Sequence, residues 1–406
     1  MKKISHVFTL VTTSIVCGSA FAQTGPTIYG VADLTVESTK AEGSTTAPGT
    51  NDIPSRTRLN ANSSLLGVKG KVSLVGNNAL IYQFETYIDL GNNQVSSMNT
   101  PVINNDTTVP VSGLGGSGTS VFGARRDTFL GVTGDWGTLK AGYLTSGFRG
   151  ATAKVDLVPG ATGIDSSYTV FGFAGPGKSY FQRMPSIMYT TPTFNGFSAA
   201  VNYIVDTAKA NAAGNVDPGG WDVLARYETE LFHISYVHTD LKDVLWGGYR
   251  KETNKSDALF AGINFPTGTT LSAMYNTSKS TLTTTAAVPV DVEVKQNSFY
   301  VGVKQAIGKH EFLVNFQKAP DFTGTNLASA AGGALATTDT GATQFGARYA
   351  YNILKSTQIY GVYSRITNSA NAAYNFNIGS IGASTGQTVQ KGADPTSFGF
   401  GMRFTF

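Results

Sequence analysis

The end of the chain, TSFGFGMRFTF, alternates between apolar and small or polar residues. Successive side chains of a β-strand point to opposite faces of a sheet, so this spacing predicts a strand with one strongly apolar face. That face carries Phe398, Phe400, Met402, Phe404 and Phe406, and the other carries Gly399, Gly401, Arg403 and Thr405. A soluble sheet rarely finishes on a free terminal Phe, so the pattern favours an apolar environment around this strand.

The same two-residue period recurs along the chain, and helical periodicity is nearly absent. In the stretch 27–38, for example, Ile28, Ala32, Leu34 and Val36 share one face, and Asp33, Thr35 and Glu37 share the other. We count about sixteen such segments. They begin near Thr27, Arg58, Asn78, Arg125, Thr138, Ser186, Phe197, Asp222, His233, Asp257, Thr269, Asn297, His310, Thr343, Thr357 and Thr396.

Short and long connections alternate between these segments. Short ones include 135–137 and 266–268, and the long ones are rich in Gly, Ser, Thr and Ala: 39–57, 90–123, 145–185, 319–342 and 367–395. Outer-membrane barrels have short periplasmic turns and long extracellular loops. Because every backbone polar group in lipid must be paired, such a sheet has to close on itself. The sequence therefore predicts an all-β fold, a 16-stranded antiparallel transmembrane β-barrel wide enough for an aqueous channel.

The N-terminus and the composition agree with export to the envelope. Lys2 and Lys3 precede a short apolar run that ends in Ala20-Phe21-Ala22, which predicts a cleaved signal peptide at 1–22 and a single barrel domain at 23–406. Cleavage would remove two of the 30 basic residues and none of the 26 acidic ones, leaving a formal charge of about +2. That balance gives no indication of nucleic-acid binding. Charged residues make up only 14% of the chain, against a usual ~25%.

One stretch, GFAGPGKS at 172–179, matches the phosphate-binding pattern G-x-x-x-x-G-K-[ST]. A phosphate-binding loop needs a buried strand before it and a helix after it. Pro185 interrupts any helix here, and the residues that follow alternate like a strand. In a chain with 47 Gly residues a chance match is expected, so we predict no nucleotide partner and interpret the stretch as part of the third long loop.

Several segments together resemble the general porins of Gram-negative bacteria, of the neisserial and beta-proteobacterial type. They are TIYGVAD (27–33), LGVKG (66–70), RDTFLGV (126–132), GTLKAG (137–142) and the terminal 398–406. The resemblance implies a sixteen-stranded homotrimer whose third loop, here 145–185, folds into the lumen and narrows the pore. It also implies that Phe406 is a recognition signal for the machinery that inserts barrels. Leu65 and Tyr143 stand where the family often has arginine, whereas Arg126 matches a family arginine.

For such a channel we expect charges of opposite sign to face each other at the narrowest point. The candidates for the pore constriction are Asp156 and Asp165 from the loop, and Arg126, Lys140, Arg348 and Arg403 from the wall. Asp33, Glu37 and Glu85 should face the lumen as well, because they alternate with apolar residues in their strands. Each of these residues could instead be a solvated lumen charge away from the constriction. The expected partners are outer-membrane lipid, further copies of the chain, ions and small hydrophilic solutes, with no cofactor or metal.

Other functions stay open at this point. A substrate-selective outer-membrane channel would have the same sequence pattern as a general porin. A barrel enzyme would need a Ser with a His in reach, and the chain after residue 22 has His233, His238 and His310 but no G-x-S-x-G motif close to a suitable His. A secreted adhesin would dissolve in water without detergent.

Overall fold

The fold is known from a computed structural model that describes most of the chain. The described residues are 23–46, 48–62, 64–88, 90, 122–167, 170–171, 183–205, 219–243, 249–284, 288–329, 336, 338–376, 381 and 388–406. The predicted signal peptide (1–22) and the GFAGPGKS stretch lie outside these residues, so both stay sequence predictions. Within them, no helix is both long enough and apolar enough to cross a membrane.

The described residues form sixteen barrel strands, two of which are built from two pieces each. They are β1 Gln23–Glu42, β2 Ile53–Asn60 with Leu65–Ser73, β3 Ala79–Ile88, β4 Phe122–Arg125 with Thr128–Gly134, β5 Gly137–Thr145, β6 Arg183–Thr190, β7 Phe197–Ile204, β8 Gly219–Glu228, β9 Phe232–Lys242, β10 Tyr249–Asn264, β11 Thr269–Thr284, β12 Asp291–Ile307, β13 His310–Ala319, β14 Ala342–Leu354, β15 Thr357–Asn368 and β16 Asp394–Thr405. A short strand, Thr323–Thr325, adds to the loop end of β12.

All neighbouring strands are antiparallel and the sheet closes on itself. The closing seam pairs β1 with β16, from Val31 opposite Thr405 to Glu42 opposite Asp394. Both pieces of β2 pair with β1, and both pieces of β4 pair with β3. The predicted sixteen-stranded antiparallel barrel is therefore confirmed.

The two faces of the wall have opposite character. Phe400 and Ile28 are both 64% exposed on the outer face, whereas Asp33, Thr35 and Glu37 on the inner face of β1 are at most 1% exposed. A water-soluble protein has the reverse arrangement, with apolar residues inside. Because strands present alternate residues to the two sides, the sequence alternation places the apolar belt outside and the polar wall inside.

The connections differ in length at the two ends of the barrel. Short turns such as 135–136, 308–309 and 355–356 join strands at one end, and we call this the turn end. At the other end, the loop end, the connections are longer. The third of these loops, 146–182, joins β5 to β6 and contains helix α1, Gly147–Val155, followed by a single helical turn at Pro159–Ala161. The sequence pattern did not predict this helix.

Candidate pore constriction

Helix α1 of the third loop packs against the inner face of the wall. Phe148 is fully buried, with its ring edge-on to Phe260 of β10 at 5.3 Å between centroids and stacked near Phe171 at 5.9 Å. Met274 of β11 and Tyr300 of β12 belong to the same apolar cluster. These contacts place the helix on the wall formed by β7 to β11.

Hydrogen bonds and charges orient the two ends of the helix. The Ser146 side chain accepts a hydrogen bond from the backbone N–H of Arg149, as a helix-capping serine does. Asp222 of β8 accepts the N–H of Gly147 at 2.9 Å and so brings a negative group to the positive helix N-terminus. At the other end Lys154 pairs with Glu228, near the turn end of the same strand. The helix therefore runs along β8 from the loop end towards the turn end.

Asp156 follows the helix and forms hydrogen bonds with other residues of the same loop. Its carboxylate accepts the N–H of Ser167 at 2.8 Å, the hydroxyl of Ser167 at 2.6 Å and the N–H of Val158 at 2.9 Å. Burial raises the pKa of Asp156 to about 6, although these hydrogen bonds act against the shift. The carboxylate is thus turned towards its own loop, and no wall arginine contacts it among the described residues.

The loop then reaches the opposite wall at Asp165. The Asp165 side chain is fully buried, and its Oδ1 lies 4.0 Å from Nη1 of Arg348 on β14. Arg348 also stacks on the ring of Tyr360, at 3.5 Å from the centroid. Amide side chains of the wall hold the loop backbone here: Asn315 donates to the carbonyl of Asp165 at 2.8 Å, and Gln344 to that of Ile164 at 2.8 Å. Burial raises the pKa of Asp165 to about 7, while Arg348 acts in the opposite direction.

A second ion pair lies beside this contact and spans the closing seam. Arg403 of β16 donates to Asp33 of β1 at 2.8 Å, and the Tyr360 hydroxyl donates to the other Asp33 oxygen. Asn62, in the break of β2, hydrogen-bonds Tyr360 at 2.9 Å. A side chain at Gly160 would start 3.4 Å from the Arg403 guanidinium, so the loop passes directly over this group. The fold therefore brings Asp33, Asp165, Arg348 and Arg403 together.

A basic group lies on the wall formed by β3, β4 and β6. Arg126, in the break of β4, pairs with Glu85 at 3.3 Å and lies over the Tyr87 ring at 4.6 Å. Glu85 also accepts the hydroxyl of Tyr29 at 2.6 Å. Arg183 at the start of β6 donates to Asp127 at 2.9 Å. Glu85 and Arg126 thus meet, a pairing that the sequence analysis did not predict. The sequence analysis also did not select Arg183 or the helix residue Arg149 for the constriction.

The remaining predicted residues lie apart from these two groups. Lys140 faces inward near the turn end, three residues after β5 begins at Gly137. Its ammonium group lies 5.0 Å from the centre of the Phe129 ring. Glu37 is buried near the loop end, where it accepts Arg58 at 2.8 Å and Asn60 at 3.0 Å. Their roles in ion passage stay predictions.

Phe406 pairs with Gly30 of β1 at the turn end of the closing seam. Its N–H donates to the carbonyl of Gly30 at 3.1 Å, and the N–H of Gly30 donates back at 2.9 Å. The Phe406 ring lies over Gly30, since a β-carbon there would be 2.4 Å from the ring. The aromatic ring stacks on Phe404 at 5.7 Å between centroids.

The comparison with protein families decides the identity of this barrel. Residues 9–371 match the family model described as Gram-negative porin. The chain is a member of the Gram-negative porin family. The resemblance seen in the sequence is thus confirmed, and the protein is an outer-membrane β-barrel. Since porins are channels, family and fold indicate a channel rather than an enzyme. No three His, Cys, Asp or Glu side chains in the described part of this porin are placed to hold a metal ion.

Curated relatives and solved structures agree with this assignment. The porin is similar to the major outer membrane protein P.IA of Neisseria meningitidis serogroup A, with 27% identity over 151 residues, 37% of this chain and 35% of the relative. The porin thus matches about a third of the length of such curated relatives. Its fold is similar to an anion-selective porin from Comamonas acidovorans, with TM-score 0.69, 21% identity and coverage of 94% and 99% of the two chains. OmpF of Salmonella typhi gives TM-score 0.55 at 14% identity, with 93% and 97% covered.

Proposed function

We propose that this porin forms a water-filled channel for passive diffusion of ions and small hydrophilic solutes. The channel is weakly charge-selective, through a constriction between the third loop and basic wall residues. The observation that carries the proposal is the contact of the loop with both walls: α1 lies against β7 to β11, and Asp165 reaches Arg348 on β14. A segment that crosses the lumen and is fastened on both sides leaves a narrower passage than the barrel wall alone.

We place the narrow passage beside the basic group of β3, β4 and β6, away from the contact of the loop with β14. Arg126 and Arg183 each have an acidic neighbour at 2.9–3.3 Å, so the group combines both signs of charge. Below it, Lys69, Lys71 and Lys140 face inward from β2 and β5 towards the turn end. Charged side chains that line a pore set which ions enter at low energy. We propose a weak preference for anions, and the name of the Comamonas acidovorans porin as anion-selective supports that sign.

Planar-bilayer recording in a KCl gradient tests this function. We expect conductance steps, and a reversal potential of the sign for weak anion preference. Arg126→Gln should shift that potential towards cation preference, because the substitution leaves the Glu85 carboxylate without its cation. Lys318→Gln is the matched control: its side chain is exposed on the outer face, two residues from Phe316, and should leave the potential unchanged.

Two outcomes would contradict separate parts of the proposal. The absence of conductance steps from correctly folded protein would exclude the channel. A reversal potential for Arg126→Gln equal to that of the parent protein would remove Arg126 from the selective part of the pore. Asp165→Asn and Arg403→Gln, measured in the same gradient, test the other wall.

We also propose a homotrimer, a signal peptide at 1–22 and an insertion signal at Phe406. One structural neighbour, OmpT of Vibrio cholerae, is described in a trimer form, which supports the first point. Light scattering in detergent should give three copies per particle, and N-terminal sequencing of membrane-extracted protein should begin at Gln23. Deleting Phe406 should slow assembly in cells more than it slows folding of purified protein into vesicles.

A further inference from the structure

The outer face of β9 to β12 continues past the apolar belt and carries a row of lysines. Lys255 lies directly opposite Lys279, and Lys279 lies directly opposite Lys295. We call these three residues the lysine rung. Their side chains are 54%, 47% and 51% exposed, whereas the residues next to them in sequence, such as Asn254 and Ser280, are buried on the inner face. The rung therefore points outward.

The height of the rung follows from the register. Four residues nearer the turn end, the outer face carries Leu259 opposite Tyr275 and Tyr275 opposite Phe299. Aromatic residues of this kind mark the boundary of the apolar belt in outer-membrane barrels. Four residues rise about 13 Å along a strand, or about 10 Å along the membrane normal after tilt. The rung thus lies at the depth of the lipid headgroups at the loop end.

Like charges directly opposite each other destabilise a sheet. Among the described residues, two carboxylates pair with these three lysines: Asp240 pairs with Lys255 at 2.8 Å, and Glu293 pairs with both Lys279 and Lys295. Outward charges beside the closing seam are arranged differently, because they form one-to-one pairs: Lys40 with Glu42 and Arg365 with Asp394. Within these contacts the three ammonium groups of the lysine rung share two carboxylates.

We propose that the lysine rung binds the phosphorylated headgroup of a lipid in the outer leaflet. Opposite side chains across a sheet start about 5 Å apart, so three ammonium groups can converge on one phosphate. Lysine binds phosphate as a point charge. The apolar belt on the turn-end side of the rung contacts the acyl chains of the same lipid. A free anion would contact the lysine rung but not this belt. This inference rests on the outer-membrane location and is independent of the proposed ion selectivity.

The test measures lipid binding by native mass spectrometry of the full mature protein in detergent, titrated with bisphosphorylated lipid A. The triple variant Lys255→Gln, Lys279→Gln, Lys295→Gln should bind at least about 10-fold more weakly, since each lysine near a membrane surface contributes to anionic lipid binding. A control with the same charge change on the inner face, Lys69→Gln, Lys71→Gln, Lys304→Gln, should stay within about twofold of the parent. Heat-modifiable electrophoresis checks that each barrel is folded, and Lys279→Gln alone provides a milder variant.

Removing the two carboxylates that pair with the lysine rung should strengthen lipid binding, whereas removing the lysines weakens it. Asp240→Asn with Glu293→Gln frees the three ammonium groups, so this variant should bind the lipid more tightly than the parent does. Dephosphorylated lipid A should bind the parent as weakly as the phosphorylated lipid binds the triple variant. Equal binding of the parent and the triple variant, or of the two lipids by the parent, would overturn the proposal. Displacement of the lipid by equimolar inorganic phosphate would overturn it too, because the rung would then be a free-anion site.

Discussion

Replacement of Phe148 by alanine tests how the third loop is held in the lumen. The ring is fully buried between Phe171 and Phe260, with one edge-on and one stacked contact. Removing a buried phenylalanine side chain costs about 3–5 kcal/mol. Because the cluster joins the loop to a wall whose strands are hydrogen-bonded to one another, we expect most of this free energy to be lost from docking of the loop rather than from the barrel. The equilibrium constant for loop release should then rise roughly 150- to 4,000-fold.

Hydrogen exchange of detergent-solubilised protein measures that constant. Amides of α1 exchange through local opening, so their protection factors should fall by the same factor, while those of β10 and β11 change little. Two variants serve as controls. Phe148→Leu keeps most of the buried volume and should fall in between, and Phe400→Ala removes a lipid-facing ring and should leave α1 unchanged. Unaltered protection of 147–155 in Phe148→Ala, in a barrel that is still folded, would refute the assignment of the loop anchor to this cluster.

Three further changes follow from the same contacts. Asp222→Ala removes the acceptor of the Gly147 N–H, so exchange at 147–150 should accelerate by a factor that corresponds to about 1–2 kcal/mol; Asp222→Asn, which keeps an acceptor, should have a smaller effect. The pKa of Asp165 is raised to about 7 in the docked loop, whereas an exposed aspartate in the released loop titrates near pH 4. Between these two pH values the Asp165 carboxyl group is protonated in the docked loop and ionised in the released loop. Docking should thus be strongest below pH 4 and weaken as the pH rises to 7, and Asp165→Asn should abolish this trend in normalised protection of 162–167. Gly30→Ala places a β-carbon 2.4 Å from the Phe406 ring and 2.8 Å from a backbone oxygen, so the midpoint of thermal unfolding should fall, whereas Gly25→Ala, where nothing lies within 4 Å, should be neutral.

The strands could be predicted because membrane barrels use the simplest periodicity. Two-residue alternation fixed the number of strands, and most predicted starts lie within a few residues of the observed ones. The larger errors occur at the loop end. The strand expected near Asp257 begins at Tyr249, and the strand expected near Asn297 begins at Asp291. There the outer face carries polar residues such as Lys255, so both faces are polar and the alternation gives no signal although the backbone stays paired.

The candidate site was harder to predict, since its contacts join residues far apart in the chain. Asp33 and Arg403 are 370 positions apart and meet only because the barrel closes in one register. Alternation predicted that both face inward, but not that they pair. The helix of the third loop did leave a signal: Phe148, Ala151 and Val155 have helical spacing behind Ser146, a residue type that caps helices. The alternating strands around it obscure this signal, and the sequence analysis selected neither Arg149 nor Arg183 for the constriction.

The seam between the first and last strands has a consequence for biogenesis. Because β1 finds its partner only in β16, every shorter nascent segment exposes two unpaired sheet edges and an apolar outer surface to water. We therefore expect that a chain lacking 394–405 cannot close the barrel.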